Sequence, residues 1–334
     1  MLLLHFPKSG GSSGVREATA IVAASDSVHK DKADYVCTGG SDQNKITQAI
    51  NDLPSRGGTV YLMEGTYYFS GAIGILNKDR VRLVGCGPST LLYKPGSGSI
   101  PTMFINVKNS DDVIISNIAI TGNEGWHLAV QNCNTVTING LIFGNNSRLY
   151  VMSGTENITV ENCVFHGWYM SAAYMNKLRI QNNIFYVPLD IDHSNDVIVE
   201  GNTFYSVSDP YSQFTIKTSA PSNVVIANNT FSSIYRYNII QCNGGSNYTI
   251  SNNVFKDICY GSDNQYTVIK LSGVTDSSVM GNVITTTQTN KPKYCILEEG
   301  SSDYNIILGN VARAYSTAGI STVGANTINV NNIT

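Results

Sequence analysis

Charge is scarce in this chain. Asp, Glu, Lys and Arg make up 13% of its 334 residues, about half the roughly 25% usual in soluble domains. That excludes a coiled coil or an acidic disordered chain. A basic excess is missing too: 21 Lys and Arg stand against 24 Asp and Glu, a net charge of −3. No positive field is present to hold nucleic acid by its phosphates. Long apolar runs are absent, and nothing approaches the ~20 residues of a membrane helix. The opening Met1-Leu2-Leu3-Leu4 run is too short for a signal-peptide core, and Lys8 follows it rather than precedes it. No signal peptide is visible.

Cysteine is sparse and odd in number. Seven residues with no Cys-x-x-Cys pair do not make a disulfide framework. Cys133, Cys163, Cys242 and Cys295 sit in or beside apolar strand patterns and read as small buried hydrophobes. The histidines (His5, His29, His127, His166 and His193) are scattered, so no zinc-ligand spacing exists. His127 and His166 read as solvated loop residues.

Asparagine is what the chain has in excess. Of 36 Asn, three lie in the first hundred residues, and 33 fall from Asn106 onward. Two construction rules are therefore at work. Residues 1–17 form an N-terminal extension with a Ser/Gly linker. Residues 18–78 read as an N-terminal cap and first coil. Within them, Ile46, Ala49, Ile50 and Leu53 fall at i, i+3, i+4 and i+7, which predicts a short helix over 42–54. Ser41-Asp42 stands where a helix cap would, and Asp42 suits the positive helix end.

From residue 79 to 334 the pattern apolar-x-Asn-x-apolar recurs. The aligned positions are Asn183, Asn202, Asn229, Asn253, Asn282, Asn310 and Asn332, spaced 19, 27, 24, 29, 28 and 22 apart. Asn117-Ile118, Gly140-Leu141 and Asn162-Cys163 open earlier units. Strand-like units at this period signal a solenoid. Asn suits its turns because it tolerates left-handed backbone and bonds neighbouring peptides. Stacked coil on coil, the Asn side chains would form a ladder. The expectation is an all-β solenoid, a right-handed parallel β-helix of about ten coils with an N-terminal capping helix. At ~4.8 Å per coil this makes a rod of roughly 50 Å.

The segments Ala33-Asp34-Tyr35-Val36-Cys37, Ser41-Asp42-Gln43, Gly57-Gly58-Thr59-Val60-Tyr61-Leu62-Met63-Glu64-Gly65-Thr66-Tyr67 and Leu83-Val84-Gly85-Cys86-Gly87 resemble the cap and first coils of the pectate-lyase-like right-handed β-helix superfamily. That group holds polysaccharide lyases, glycoside hydrolases, uronan C5-epimerases, phage tailspikes and non-enzymatic surface proteins. The resemblance implies a substrate lying along the open face of one long sheet. It also implies a polysaccharide or cell-surface glycan as partner, and an extracellular or virion-associated location. A homotrimer or a virion partner goes with the tailspike version.

The strand after each variable loop is taken as that sheet. Leu128, Val130, Leu149, Val151, Leu189, Ile191, Phe214, Ile216 and Ile269 would point inward. One outward column then runs Gln131, Met152, Tyr174, Asp192, Lys217, Gln241, Lys270 and Glu298. A second runs Ala129, Tyr150, Ala172, Asp190, Thr215, Ile239, Val268 and Ile296. Asp190 and Asp192 share one strand face, ~7 Å apart, with Lys217 and Tyr174 each one coil (~5 Å) from Asp192. His193 follows at the strand end. These five residue types suit acid–base work on a sugar, and a carboxylate pair suits glycoside hydrolysis. Asp190-Ile191-Asp192-His193 resembles the Asp-Pro-His segment of alginate C5-epimerases, with the proline missing and the histidine displaced. Trp126, Trp168, Tyr150, Tyr211, Tyr237, Lys270 and Glu298 are the candidate substrate-binding residues, the aromatics forming a rim for sugar rings. No cofactor is expected. Calcium has no ligand cluster, and no arginine falls in these columns.

The reading is a polysaccharide-engaging β-helix, an enzyme of lyase, hydrolase or C5-epimerase type. The alternative is a non-catalytic virion or cell-surface protein that binds host glycans, or a purely structural rod.

Overall fold

The computed structural model describes residues 18–95, 104–122, 127–145, 147–205, 214–235 and 237–334. The linker reading over 1–17 lies outside them. So do Trp126 and Tyr211.

The chain winds into about ten stacked coils, every strand pairing parallel with its counterpart one coil away. A coil yields three strand segments, for example Leu189–Asp192, Asn195–Glu200 and Thr203–Tyr205. The first segments form an eleven-stranded sheet from Ile73–Leu76 to Ala318–Ser321. The other two kinds join into a second, larger sheet. Alternation sets the faces: Leu189 and Ile191 are fully buried, and Asp190 and Asp192 point out.

The capping helix is observed over Gln43–Asn51, shorter than the expected span. Ile46, Ala49, Ile50 and Leu53 pack onto the first coils. Asp42 precedes it without a side-chain cap bond. Its buried carboxylate instead accepts from the amides of Gly39, Gly40 and Tyr68, tying the cap loop to the first coil.

The Asn repeat resolves into two jobs. The first residue of each doublet adopts left-handed backbone: φ is 57° at Asn182, 56° at Asn228, 55° at Asn252, and 67° where Gly201 takes the place. Asn and Gly tolerate that region best. The second residue turns inward. Asn183, Asn202, Asn229, Asn253, Asn282 and Asn310 are at most 1% exposed. Each Oδ1 accepts the amide of its neighbour one coil back, at 2.8–3.0 Å for these six. Each Nδ2 donates to a strand carbonyl and to the next Asn Oδ1, as Asn253 does to Ile226 O (2.8 Å) and Asn282 Oδ1 (3.0 Å). These buried amides are thus paired on both ends. Beside them Phe143, Phe165, Phe185, Phe204, Phe231 and Phe255 stack at 4.7–4.8 Å between centroids.

All seven cysteines are free, and all but Cys86 are buried. Burial pushes the Cys163, Cys242 and Cys295 thiols up to about 12, as inert core residues should be. His127 departs from expectation: it is fully buried and stacks on Phe104 at 4.3 Å.

Truncating one rung of the Asn ladder orphans groups in two adjacent coils. Asn253→Ala is expected to cost more than ~2 kcal/mol, because each buried group left unpaired costs about 1–3 kcal/mol. Urea denaturation reads this directly. A loss under ~0.5 kcal/mol would show that the ladder is not what fixes the stacking.

Candidate functional site

The eleven-stranded sheet presents the face on which the sequence places the chemistry. Its register is set by direct pairing: Ser171 faces Asp190, which faces Lys217, then Gln241, then Lys270. The neighbouring outward column is Ala173, Asp192, Ser219, Asn243, Ser272 and Glu299.

This corrects three expected placements. Lys217 stands across from Asp190, not Asp192. Tyr174 lies beyond the strand, because Ala173 takes the position opposite Asp192. Glu298 points into the core and is fully buried, so it is no groove residue. Its carboxylate accepts from Asn305 Nδ2 and Thr327 Oγ1 (both 2.7 Å) and from the amides of Val323 and Gly324 (both 3.0 Å). That makes it an internal tie for the last coils. Of the second expected column, Ala129, Ala172, Thr215, Ile239, Val268 and Ile296 are all buried.

The central cluster survives these corrections. Lys217 Nζ lies 3.8 Å from Asp190 Oδ1, an ion contact too long for a hydrogen bond. That oxygen is itself buried and accepts no hydrogen bond among the described residues. Burial pushes the Asp190 carboxyl above the usual carboxylate range; Lys217 pulls it back and the Asp192 charge adds to the rise. Asp192 has a different setting. It is partly exposed, and its Oδ1 is 2.8 Å from His193 Nδ1. His193 sits on the corner after the strand with φ 44°, its amide donating to Ser219 O. Tyr174 occupies the same corner one coil back with φ 57°. The two rings stack at 5.0 Å, 11° from parallel.

So Asp190, Asp192, His193, Tyr174 and Lys217 are brought together, Tyr174 through its stack on the imidazole and through its amide, which donates to Asp192 O at 2.9 Å. The remaining residues flank them. Tyr150 faces Ser171, two strands from Asp190. Lys270 lies three strands to the other side of Asp190 and pairs with Glu299 at 3.0 Å. Tyr237 belongs to a loop and lies against Tyr266 at 6.4 Å. Trp168 covers the guanidinium of Arg148, 4.2 Å from the ring centre, with Tyr169 at 5.0 Å. Arg148 was missed by the sequence reading. It stands two residues before Tyr150 on the same strand, so extending the alternation by one step would have found it.

A second, shallow depression of about 480 Å³ lies on the other sheet, lined by Thr159, Lys177, Arg179, Asp196 and Asn223. It holds neither a carboxylate pair nor a histidine, and Asp196 is already tied to Asn223 Nδ2 at 2.9 Å. The two carboxylates and the imidazole described above lie on the eleven-stranded sheet and at its edge. Among the described residues, no group of three or more His, Cys, Asp and Glu could hold a metal ion. None of their helices is long and apolar enough to cross a membrane.

Solved structures match this arrangement of coils. The A-module of the Azotobacter vinelandii mannuronan C-5 epimerase AlgE6 superposes with a TM-score of 0.59 at 18% identity, over 89% of this chain and 96% of that one. A family 28 exopolygalacturonase of Yersinia enterocolitica gives 0.63 at 10% identity, over 89% and 75%. The chain has the parallel β-helix fold of these proteins. The same β-helix recurs in the Dettilon tailspike protein, with a TM-score of 0.59 at 13% identity, over 86% of this chain and 62% of that one. At these identities the likeness is one of fold. No family model and no curated protein matches the β-helix by sequence.

The raised Asp190 carboxyl has a consequence for stability. Folding disfavours its ionised form, so the cost is absent below the unfolded carboxylate range and grows as pH rises through the raised value. Asp190→Asn is therefore expected to raise the Tm at pH 7 and to leave it unchanged near pH 3. Thermal denaturation at both pH values checks this; a lower Tm at pH 7 would mean that the ion contact with Lys217 outweighs burial.

Proposed function

We propose that the β-helix engages a polysaccharide along the outer face of the eleven-stranded sheet and modifies it by acid–base chemistry at Asp190, Asp192 and His193. One observation carries this reading: two carboxylates on one strand face have opposed environments. Pairs of titratable groups set apart in this way mark acid and base roles. Asp190, pushed toward its protonated form by burial, is the proton donor to a departing or inverting sugar centre. Asp192 accepts from His193 Nδ1, which leaves Nε2 with its lone pair free to take a proton. Tyr174 steadies the ring from one face. Lys217 supplies positive charge where negative charge develops on the substrate.

The same groups serve hydrolysis, in which the base activates water, and lyase or C5-epimerase chemistry, in which it removes a carbon-bound proton. Two carboxylates two residues apart on a strand lie ~7 Å from one another, within the roughly 6.5–9.5 Å of inverting hydrolysis. The solved neighbours include proteins named as a mannuronan epimerase and an exopolygalacturonase, which supports a sugar-modifying role.

A non-catalytic glycan binder is the second reading. The ion pairs Lys217–Asp190 and Lys270–Glu299 favour it, since the face neutralises part of its own charge. The neighbours named as a tailspike and as a surface adhesin also fit it. An extracellular or virion-borne location suits both readings, and a homotrimer or virion partner belongs to this one.

Incubation with a polysaccharide panel separates them. Chain shortening with ultraviolet absorbance of unsaturated ends marks a lyase, shortening without it a hydrolase, and altered proton NMR without shortening an epimerase. Asp192→Asn and His193→Gln are each expected to lower turnover by ~10²–10⁴-fold with the Tm held. Normal turnover in both variants would remove the assignment; binding without any product would leave the second reading.

A further inference from the structure

Cations on the eleven-stranded sheet are not equally engaged. Lys217 faces Asp190, and Lys270 pairs with Glu299. The Arg148 guanidinium has no ion pair and no hydrogen bond among the described residues, and its Nε is buried and unpartnered. An unpaired buried donor on a cation is costly unless a ligand completes it. The guanidinium nonetheless packs on the rings of Trp168 and Tyr169.

The sequence is shaped to produce this arrangement. The Trp168 amide donates to Ser147 O at 3.1 Å. Gly167 makes that approach feasible: a Cβ there would stand 1.9 Å from the same carbonyl. Any larger residue would lift the segment, and the indole with it, off the preceding coil. Arg148 and Tyr150 point out of one strand, and Tyr150 lies two strands from Asp190. That is about 10 Å along the stack, so a sugar chain lying on the sheet passes both.

We propose that Arg148, clamped on Trp168, is a subsite for the carboxylate of a uronate unit, and that the ligand of this face is an acidic polysaccharide. A guanidinium is a planar fork that matches a carboxylate with two parallel hydrogen bonds. This inference rests on the polysaccharide reading above, but not on catalysis.

Calorimetry on the full chain tests it. The probes are hexamers of polygalacturonate and of polymannuronate, each against its carboxyl-reduced counterpart. One acidic hexamer is expected to bind at least tenfold tighter than its reduced form, about 1.4 kcal/mol. Arg148→Met, which keeps most of the packing stem, is expected to erase that ratio with the Tm unchanged. Arg148→Lys, which keeps the charge but loses the fork, should lose most of it. Asp190→Asn should keep the ratio whether or not turnover survives. An intact preference in a chain without turnover would support the subsite and remove the catalytic reading. A preference that survives Arg148→Met would overturn the proposal, as would the lack of any preference in the unmodified chain. Turnover of a neutral polysaccharide would overturn the subsite and leave catalysis standing.

Discussion

Every coil of this molecule must land on the one before it in a fixed register. From Asn183 to Asn332 the buried asparagine ladder enforces that. An amide side chain in an apolar core is tolerated only when its donor and acceptor are both satisfied. Here the partners lie one coil away on either side, so satisfaction and stacking are the same event. The Phe column repeats the spacing with dispersion instead of hydrogen bonds. A slip would leave several amides unpaired at once. Loops may then vary freely in length between rungs, as spacings from 19 to 29 show.

The candidate site inherits its geometry from this stacking. Asp190 is held between Ser171 and Lys217 because three strands are in register, not because the loops place it. His193 and Tyr174 stack because both fill the same left-handed corner in successive coils. Charge is scarce overall, yet here two carboxylates, an imidazole and an ammonium meet on one face. Their environments differ by a single step along the strand: one carboxylate is desolvated, the other bound to a ring nitrogen at the edge. A rigid scaffold with unequal neighbours is what acid–base chemistry on a bound sugar needs.

Much of this was legible in the sequence. The Asn doublets fixed the ladder rung by rung, from Asn183 to Asn332, and the inward set Leu189, Ile191 and Ile216 is as alternation predicts. What failed did so for one physical reason. Alternation assumes that polar residues point out, and two do not. Thr218 is buried, bonded to the Tyr248 hydroxyl at 2.8 Å, and takes the inward place opposite Ile191. Phe214 and Ile216 read as the inward pair instead, which sets Lys217 opposite Asp192; in the structure Ile216 pairs with Leu189, and Phe214 is half-buried beside Lys217. Glu298 is buried with four donors around it and was mistaken for a groove residue. Nothing in a single chain distinguishes a satisfied inward carboxylate from an exposed one, because its donors come from residues up to 29 positions away. Arg148 was overlooked because it precedes the apolar stretch used to define its strand.

The account's central claim is that the outer face of the eleven-stranded sheet is where a glycan lies. A crystal structure of the Asp190→Asn protein soaked with an acidic hexasaccharide tests it most directly. Sugar density running along the stack, with one ring over the substituted side chain, Asp192 and His193, is the result expected. Density confined to the depression beside Lys177 and Arg179 on the other sheet would contradict it.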